Sequence, residues 1–136
     1  LLTVDVRMRL RWWNRNVVGT HFGGSLYAMC DPFFMLILLE QLGREYVIWD
    51  KAATVRFKRP GRGPVTARFQ VTPAQVLAIR AEIDQIGRKD YTFYTRVLGA
   101  DGEVVAEVDK LVYVRRKDFV FKPPTPSRPS RMPRGL

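Results

Sequence analysis

The sequence predicts an α+β domain: a curved antiparallel sheet wrapped around one long central apolar helix, with an extra short helix between strands 3 and 4. Three observations predict it. Residues 25–42 are apolar on nearly every side (Leu26, Tyr27, Ala28, Met29, Phe33, Phe34, Met35, Leu36, Ile37, Leu38, Leu39), and a helix without a polar face must be covered by other structure. Five segments outside it read as strands, bounded by Gly and Pro punctuation. The chain of 136 residues is 46% hydrophobic with three Trp, eight Phe and five Tyr, enough for one domain with a core of its own.

Residues 3–13 alternate, with Val4, Val6, Met8, Leu10 and Trp12 on one side and Asp5, Arg7, Arg9 and Arg11 on the other, as in a half-buried strand. Residues 14–24 are irregular and glycine-rich. The helix 25–42 follows and stops at Gly43, a favourable residue just past a helix end. Residues 46–58 read as a long strand closed by Pro60-Gly61-Arg62-Gly63-Pro64, and residues 65–71 as the next. Thr72 then predicts an N-cap with Pro73 in the first turn, and a helix to Ile86 with Val76, Ile79, Ile83 and Ile86 on one stripe. Residues 91–98 and 104–114 form a hairpin about Gly99-Ala100-Asp101-Gly102. Residues 1–117 are thus one domain. Residues 118–136, basic and proline-rich, are expected to be an extended or disordered tail.

The net charge of +10 is uneven. From Arg115 onward there are seven basic residues and one acid, so six of the ten net charges lie there. A basic tail does not make its domain a nucleic-acid module, and nucleic acid is not the expected partner. The longest unbroken apolar run, residues 33–39, is too short to cross a bilayer, so no transmembrane segment is predicted. The single Cys30 cannot form an internal disulfide, which fits a cytoplasmic setting and a buried core thiol. Asp50 and Lys51, inside an apolar strand, are expected to pair with each other.

The stretch from Asn16 to Asp31 carries the chemistry. A Gly-Gly turn opening a helix offers free backbone N–H groups that can polarise a carbonyl or bind an anion. The carboxylate of Asp31 follows about two turns later. Asp31-Pro32 also reads as an N-cap with proline at the first helical position, so a helix break at this point is an open alternative.

These residues resemble the hotdog superfamily, in particular the phenylacetic-acid-pathway type of acyl-CoA thioesterases and, more closely, an uncharacterised branch of that superfamily. The resemblance covers roughly residues 3 to 116. The family pattern is an Asn, six residues later His-Gly-Gly, and an acid nine residues after that His. Asn16, Phe22-Gly23-Gly24 and Asp31 hold these spacings, with Phe22 at the His position and His21 one residue earlier. The resemblance implies thioester hydrolysis with Asp31 as nucleophile or base acting across a dimer interface. Gly23 would donate to the thioester oxygen and Asn16 would position water or substrate.

Gly24, His21, Phe22, Tyr27, Phe33, Arg59 and Arg62 are the expected substrate-binding residues, the arginines facing coenzyme A phosphates. No metal or separate cofactor is expected; coenzyme A enters as part of the substrate. The expected partners are a small-molecule acyl thioester and a second copy in a homodimer, or a tetramer built from it. Two alternatives stand: an acyl-binding hotdog protein without catalysis, and a nucleic-acid- or membrane-surface-binding protein acting through its tail.

Overall fold

Pro32 has no backbone N–H, and at this residue the apolar segment divides in two. The computed structural model, which describes residues 2–122, places α1 at Gly23–Ala28 and α2 at Phe33–Leu42. Between them the chain tightens: Cys30 N donates to Tyr27 O at 2.9 Å and Asp31 N to Ala28 O at 3.3 Å. The Leu36 N to Pro32 O bond, 2.9 Å, then restarts the helix. The continuous helix expected over 25–42 is therefore replaced by its alternative, a short turn of helix and a new start at the proline. By length and composition the stretch Gly23–Leu42 could cross a membrane, but here α2 packs on the sheet as a core helix.

Five strands surround it: β1 (Thr3–Met8), β2 (Tyr46–Phe57), β3 (Val65–Gln70), β4 (Arg88–Leu98) and β5 (Val104–Arg116), with α3 (Pro73–Ile86) between β3 and β4. The sheet order is β1-β3-β4-β5-β2, every neighbouring pair antiparallel. β4 is the middle strand; β5, between β4 and the edge strand β2, buries Val105, Val108, Val112 and Val114. β3 and β4 share only two register pairs, Thr66 with Leu98 and Ala67 with Val97. Beyond them the Thr95 hydroxyl donates to Arg68 O at 2.6 Å across the splayed strands. β1 and β2 are edges of the sheet.

Phe34, Ile37, Leu38 and Leu42 of α2 are buried against the sheet. Phe34 stacks on Phe93 at 5.1 Å and meets Phe69 edge-on at 5.2 Å. Burial of such a ring stabilises the fold by about 1.5–3 kcal/mol. The opposite face is less covered than an all-apolar helix leads one to expect: Leu36 and Leu39 are exposed.

Two boundaries and one buried stripe differ from expectation for identifiable reasons. The first strand ends at Met8, not Trp13. Asn14 Oδ1 accepts from Arg11 N at 2.6 Å and its Nδ2 donates to Arg9 O at 2.8 Å. This folds the chain away from the sheet, and Trp12 is left 77% exposed. In α3 the Thr72 cap forms with Gln75 completing a capping box, and the helix runs Pro73–Ile86 as expected; with fourteen residues it is the longest of the three. Its buried stripe stops at Ile83, because the chain leaves the helix at Gly87 and Ile86 faces out. Finally, the first residues beyond 117 pack on the body. Arg116 pairs with Asp118, the Phe119 ring lies where a side chain at Gly87 would go, and Arg88 lies 5.3 Å from the Phe119 and Phe121 rings. The rest of the expected tail, residues 123–136, lies outside the described residues.

Candidate functional site

The loop from Asn14 to Phe22 is held by its own polar side chains. Asn16 Oδ1 accepts from Val18 N and Thr20 N, both at 3.1 Å, and its Nδ2 donates to the Thr20 hydroxyl at 2.8 Å. Such local side-chain bonds stand in for the backbone partners a loop lacks. His21 is buried; its Nε2 lies 2.6 Å from Gly63 O, and its backbone N donates to Gly61 O at 2.9 Å. A carbonyl only accepts, so Nε2 carries the proton, while Nδ1 is buried without a partner. Phe22 N donates to Asn14 O at 2.8 Å, and the Phe22 ring is 57% exposed.

This loop delivers the chain into α1 at Gly23. A Cβ on Gly24 would come within 2.6 Å of the Phe22 ring, and one on Gly23 within 3.1 Å of Phe57. Both glycines are therefore set where neighbouring rings pass close to the backbone. Asn16, His21, Gly23, Phe57 and Arg59 line one cleft of about 380 Å³. Arg59 is already paired with Glu103. Arg62 lines neighbouring clefts with Gly63 and has no ion-pair partner among the described residues. Phe33 is partly buried and packs its ring on Phe69 at 5.0 Å.

Asp31 is not in that cleft. It stands where α1 ends and α2 begins, in a second constellation. Tyr27, four residues earlier, donates its hydroxyl to Asp31 Oδ1 at 2.8 Å. Lys110, from β5, donates its ammonium to the same oxygen at 2.9 Å and pairs with Asp50 Oδ2 at 3.3 Å. The lysine is 0% exposed, whereas the Asp31 side chain is 49% exposed. The Lys110 ammonium also lies 5.5 Å from the Tyr27 ring centroid, within cation–π range. The expected Asp50–Lys51 pair does not form: Asp50 turns inward to Lys110, and Lys51 pairs with Asp90 at 2.7 Å. A register shift between Asp50 and Ala52 gives β2 a bulge here, the device that re-aims a side chain.

The electrostatics follow from these contacts. The Lys110 bond, seconded by Tyr27, holds the Asp31 carboxyl below its ordinary range. Burial pushes Asp50 the other way, only partly offset by Lys110. Burial alone would lower Lys110; the bond to Asp31 and the charge of Asp50 outweigh it and leave the ammonium pKa raised. Its bond to Asp31 raises the Tyr27 phenol. Cys30, next in sequence to Asp31, is buried, which pushes its thiol up to about 12 and keeps it neutral. Among the described residues, no group of three or more His, Cys, Asp or Glu could hold a metal ion.

Sequence reasoning picked out Asp31 and Tyr27 but missed Lys110. The available signal was a lysine amid the strand valines Val108, Val112 and Val114, at a position whose alternation demanded an apolar side chain.

The model for the domain of unknown function DUF4442 matches residues 3–114. The chain belongs to the DUF4442 family. No curated protein matches the sequence. Solved structures place this DUF4442 domain among hotdog folds. A Pseudomonas aeruginosa protein of unknown function, named as a probable thioesterase, is similar with a TM-score of 0.76 at 23% identity, over 85% of this chain and 77% of that one. A Haemophilus influenzae thioesterase is similar with a TM-score of 0.64 at 14% identity, over 85% and 73%. A Bacillus halodurans protein whose crystal structure includes CoA gives 0.61 at 17% identity, over 81% and 66%. At these identities the likeness establishes the hotdog fold.

Proposed function

We propose that this protein hydrolyses an acyl thioester of coenzyme A or of a carrier protein, at a site completed between two copies of the chain. The observation that carries the reading is the Asp31 carboxylate. It sits at the head of α2 in a hotdog fold, with Oδ1 held by two donors and Oδ2 unbonded among the described residues. A fixed, ionised carboxylate with one free oxygen suits attack on a carbonyl carbon or removal of a proton from water.

Gly23 and Gly24 open α1 with N–H groups that donate to nothing among the described residues, and these are the proposed oxyanion donors. One such donor contributes about 3 kcal/mol to the transition state. Asn16 shapes the loop that presents them. In the water route, Oδ2 takes a proton as the hydroxyl oxygen bonds to the carbonyl carbon. The C–S bond then breaks and the proton passes to the departing thiolate. In the direct route, Oδ2 itself bonds to the carbonyl carbon, the thiolate leaves, and water cleaves the resulting anhydride.

The reading calls for a second copy, because within one chain Asp31 does not line the Gly23 cleft. The free edge of β2 and the exposed Leu36, Leu39, Trp49 and Phe57 favour a homodimer interface, with Asp31 of one copy serving Gly23 of the other. The acyl group would lie along α2 near Phe22, Tyr27 and Phe33. Of the two expected arginines, Arg62 is the one without an ion-pair partner among the described residues, and it is proposed to meet coenzyme A phosphates. Exposed Phe22, at the family His position, favours a second reading in which the pocket binds acyl thioesters without cleaving them.

Thiol release from short, long and aromatic acyl-CoAs, with wild type beside Asp31→Ala, tests the proposal. Turnover that collapses without Asp31 supports hydrolysis. Tight binding with no turnover, in folded protein, supports the binding reading. Turnover indifferent to Asp31 removes the site.

A further inference from the structure

Lys110 occupies a position that the sheet reserves for apolar residues. Val108 and Val112, two residues before and after it on the same face of β5, are fully buried, and so is Lys110. A buried ammonium is costly to desolvate, and replacing a buried ion pair with packed hydrocarbon is often neutral or stabilising. A valine at 110 would continue the row at no such cost.

The ammonium meets two carboxylates from different elements, Asp31 before α2 and Asp50 on the β2 bulge. The Tyr27 hydroxyl arrives on the same Asp31 oxygen as Lys110. Two donors on Oδ1 restrain the Asp31 carboxylate, whose side chain stays 49% exposed and whose Oδ2 has no bond among the described residues. Asp50 in turn steers Lys110, while its Oδ1 is buried with no partner. That unpaired oxygen costs free energy, and two carboxylates meet the single ammonium.

We infer that Lys110 and Asp50 are positioning residues, a buried charge lock that aims Asp31. The inference rests on the thioester-hydrolysis reading for its consequence in catalysis, but the lock itself is testable without turnover. Asp50 orients Lys110, Lys110 and Tyr27 orient Asp31, and of these four only Asp31 meets the reacting thioester carbon or its water. The groups facing Asp31 are Tyr27 from α1, its neighbour Cys30, Asp50 from β2 and Lys110 from β5. The thiol stays neutral, so Lys110 and Tyr27 dominate the titration of Asp31.

The test compares Lys110→Met, Lys110→Arg, Asp50→Asn and Tyr27→Phe with wild type, each checked for folding by circular dichroism. The first readout is the 13C chemical shift of the Asp31 carboxyl against pH, with no substrate present. The lock predicts that Asp31 titrates below the ordinary aspartate value of about 3.9 in wild type and moves up toward it in Tyr27→Phe and further in Lys110→Met. The second is thioester turnover. Here kcat falls roughly 10- to 100-fold in Lys110→Met with KM nearly unchanged, less in Asp50→Asn, with partial recovery in Lys110→Arg. Should Lys110→Met fail to fold, Tyr27→Phe and Asp50→Asn carry the test. Folded variants with an unmoved Asp31 titration overturn the lock. A moved titration with no turnover in any protein, wild type included, upholds the lock and overturns the hydrolase reading.

Discussion

The loop 14–22 and the head of α2 both carry hydrogen-bonded polar side chains, and they use them in opposite ways. In the loop, Asn14, Asn16 and His21 spend their side chains on nearby backbone or on a loop hydroxyl. These contacts build a shape. At the head of α2, Tyr27, Asp31, Asp50 and Lys110 bond to one another across three elements, and they leave one oxygen of Asp31 free and one of Asp50 buried without a partner. Such contacts cost stability that simpler packing would have kept. A polar group that satisfies the backbone is explained by folding; one that ties other charges together in the core calls for a function.

The contrast gives its largest expected effect at Asp31. Asp31→Asn keeps the shape and the Tyr27 contact but removes the charge, and thioester turnover should fall by about 100-fold or more, with a lower thermal midpoint because the buried Lys110 keeps only Asp50 as an anionic partner. If turnover persists, the distinction between the two regions collapses. His21→Ala should do the reverse: loss of the buried ring and its bond to Gly63 destabilises by about 1–3 kcal/mol in urea titration, with KM and kcat shifting only as far as the loop moves.

A pair of glycine substitutions sharpens the comparison within the loop's surroundings. A Cβ at Gly61 would lie 2.8 Å from the His21 ring, which is buried and cannot yield, so Gly61→Ala should cost about 1–3 kcal/mol. At Gly24 the obstacle is the exposed Phe22 ring, which can swing away, and Gly24→Ala should cost well under about 1 kcal/mol. Equal losses would show that Phe22 is held as firmly as His21.

The smallest effect is in pH. Asp31 has a folded pKa below its unfolded value, so its stabilising contribution is present above about pH 4 and is lost as pH falls through the lower folded value. Asp50 has the opposite sign: its folded pKa is raised, so ionising it in the fold costs stability, most fully above that raised value. Lys110, raised above its unfolded value, contributes below about pH 10.5 and loses that contribution as pH rises through the folded pKa. Urea midpoints should therefore drop below pH 4 in wild type, and less steeply in Tyr27→Phe, where Asp31 is less perturbed.

Much of this was legible in the sequence because local rules agree with the fold. The capping box at Thr72, the turn at residues 99–102 and the strand alternation of β3 all rest on short-range chemistry. Asp31-Pro32 was legible as a helix break for the same reason, since proline lacks the donor. The end of β1 was not, because Asn14 and not the alternation decides it. The Lys110 cluster was hidden too, since it joins residues 79 positions apart, and the β2 bulge that aims Asp50 has no local signature. Phe22 stands at the family His position and His21 lies one residue earlier, so two groups qualify to handle the proton, the Asp31 carboxylate and the His21 imidazole, and spacing does not choose between them.

That choice is the account's central claim, and the pH–rate profile of thiol release tests it most directly. Wild type, Tyr27→Phe and His21→Ala are measured on the same acyl-CoA. The account predicts an acid limb below the ordinary carboxylate range that moves upward when the Tyr27 hydroxyl is removed. An acid limb that is indifferent to Tyr27 and disappears in His21→Ala would contradict it and move the chemistry to His21.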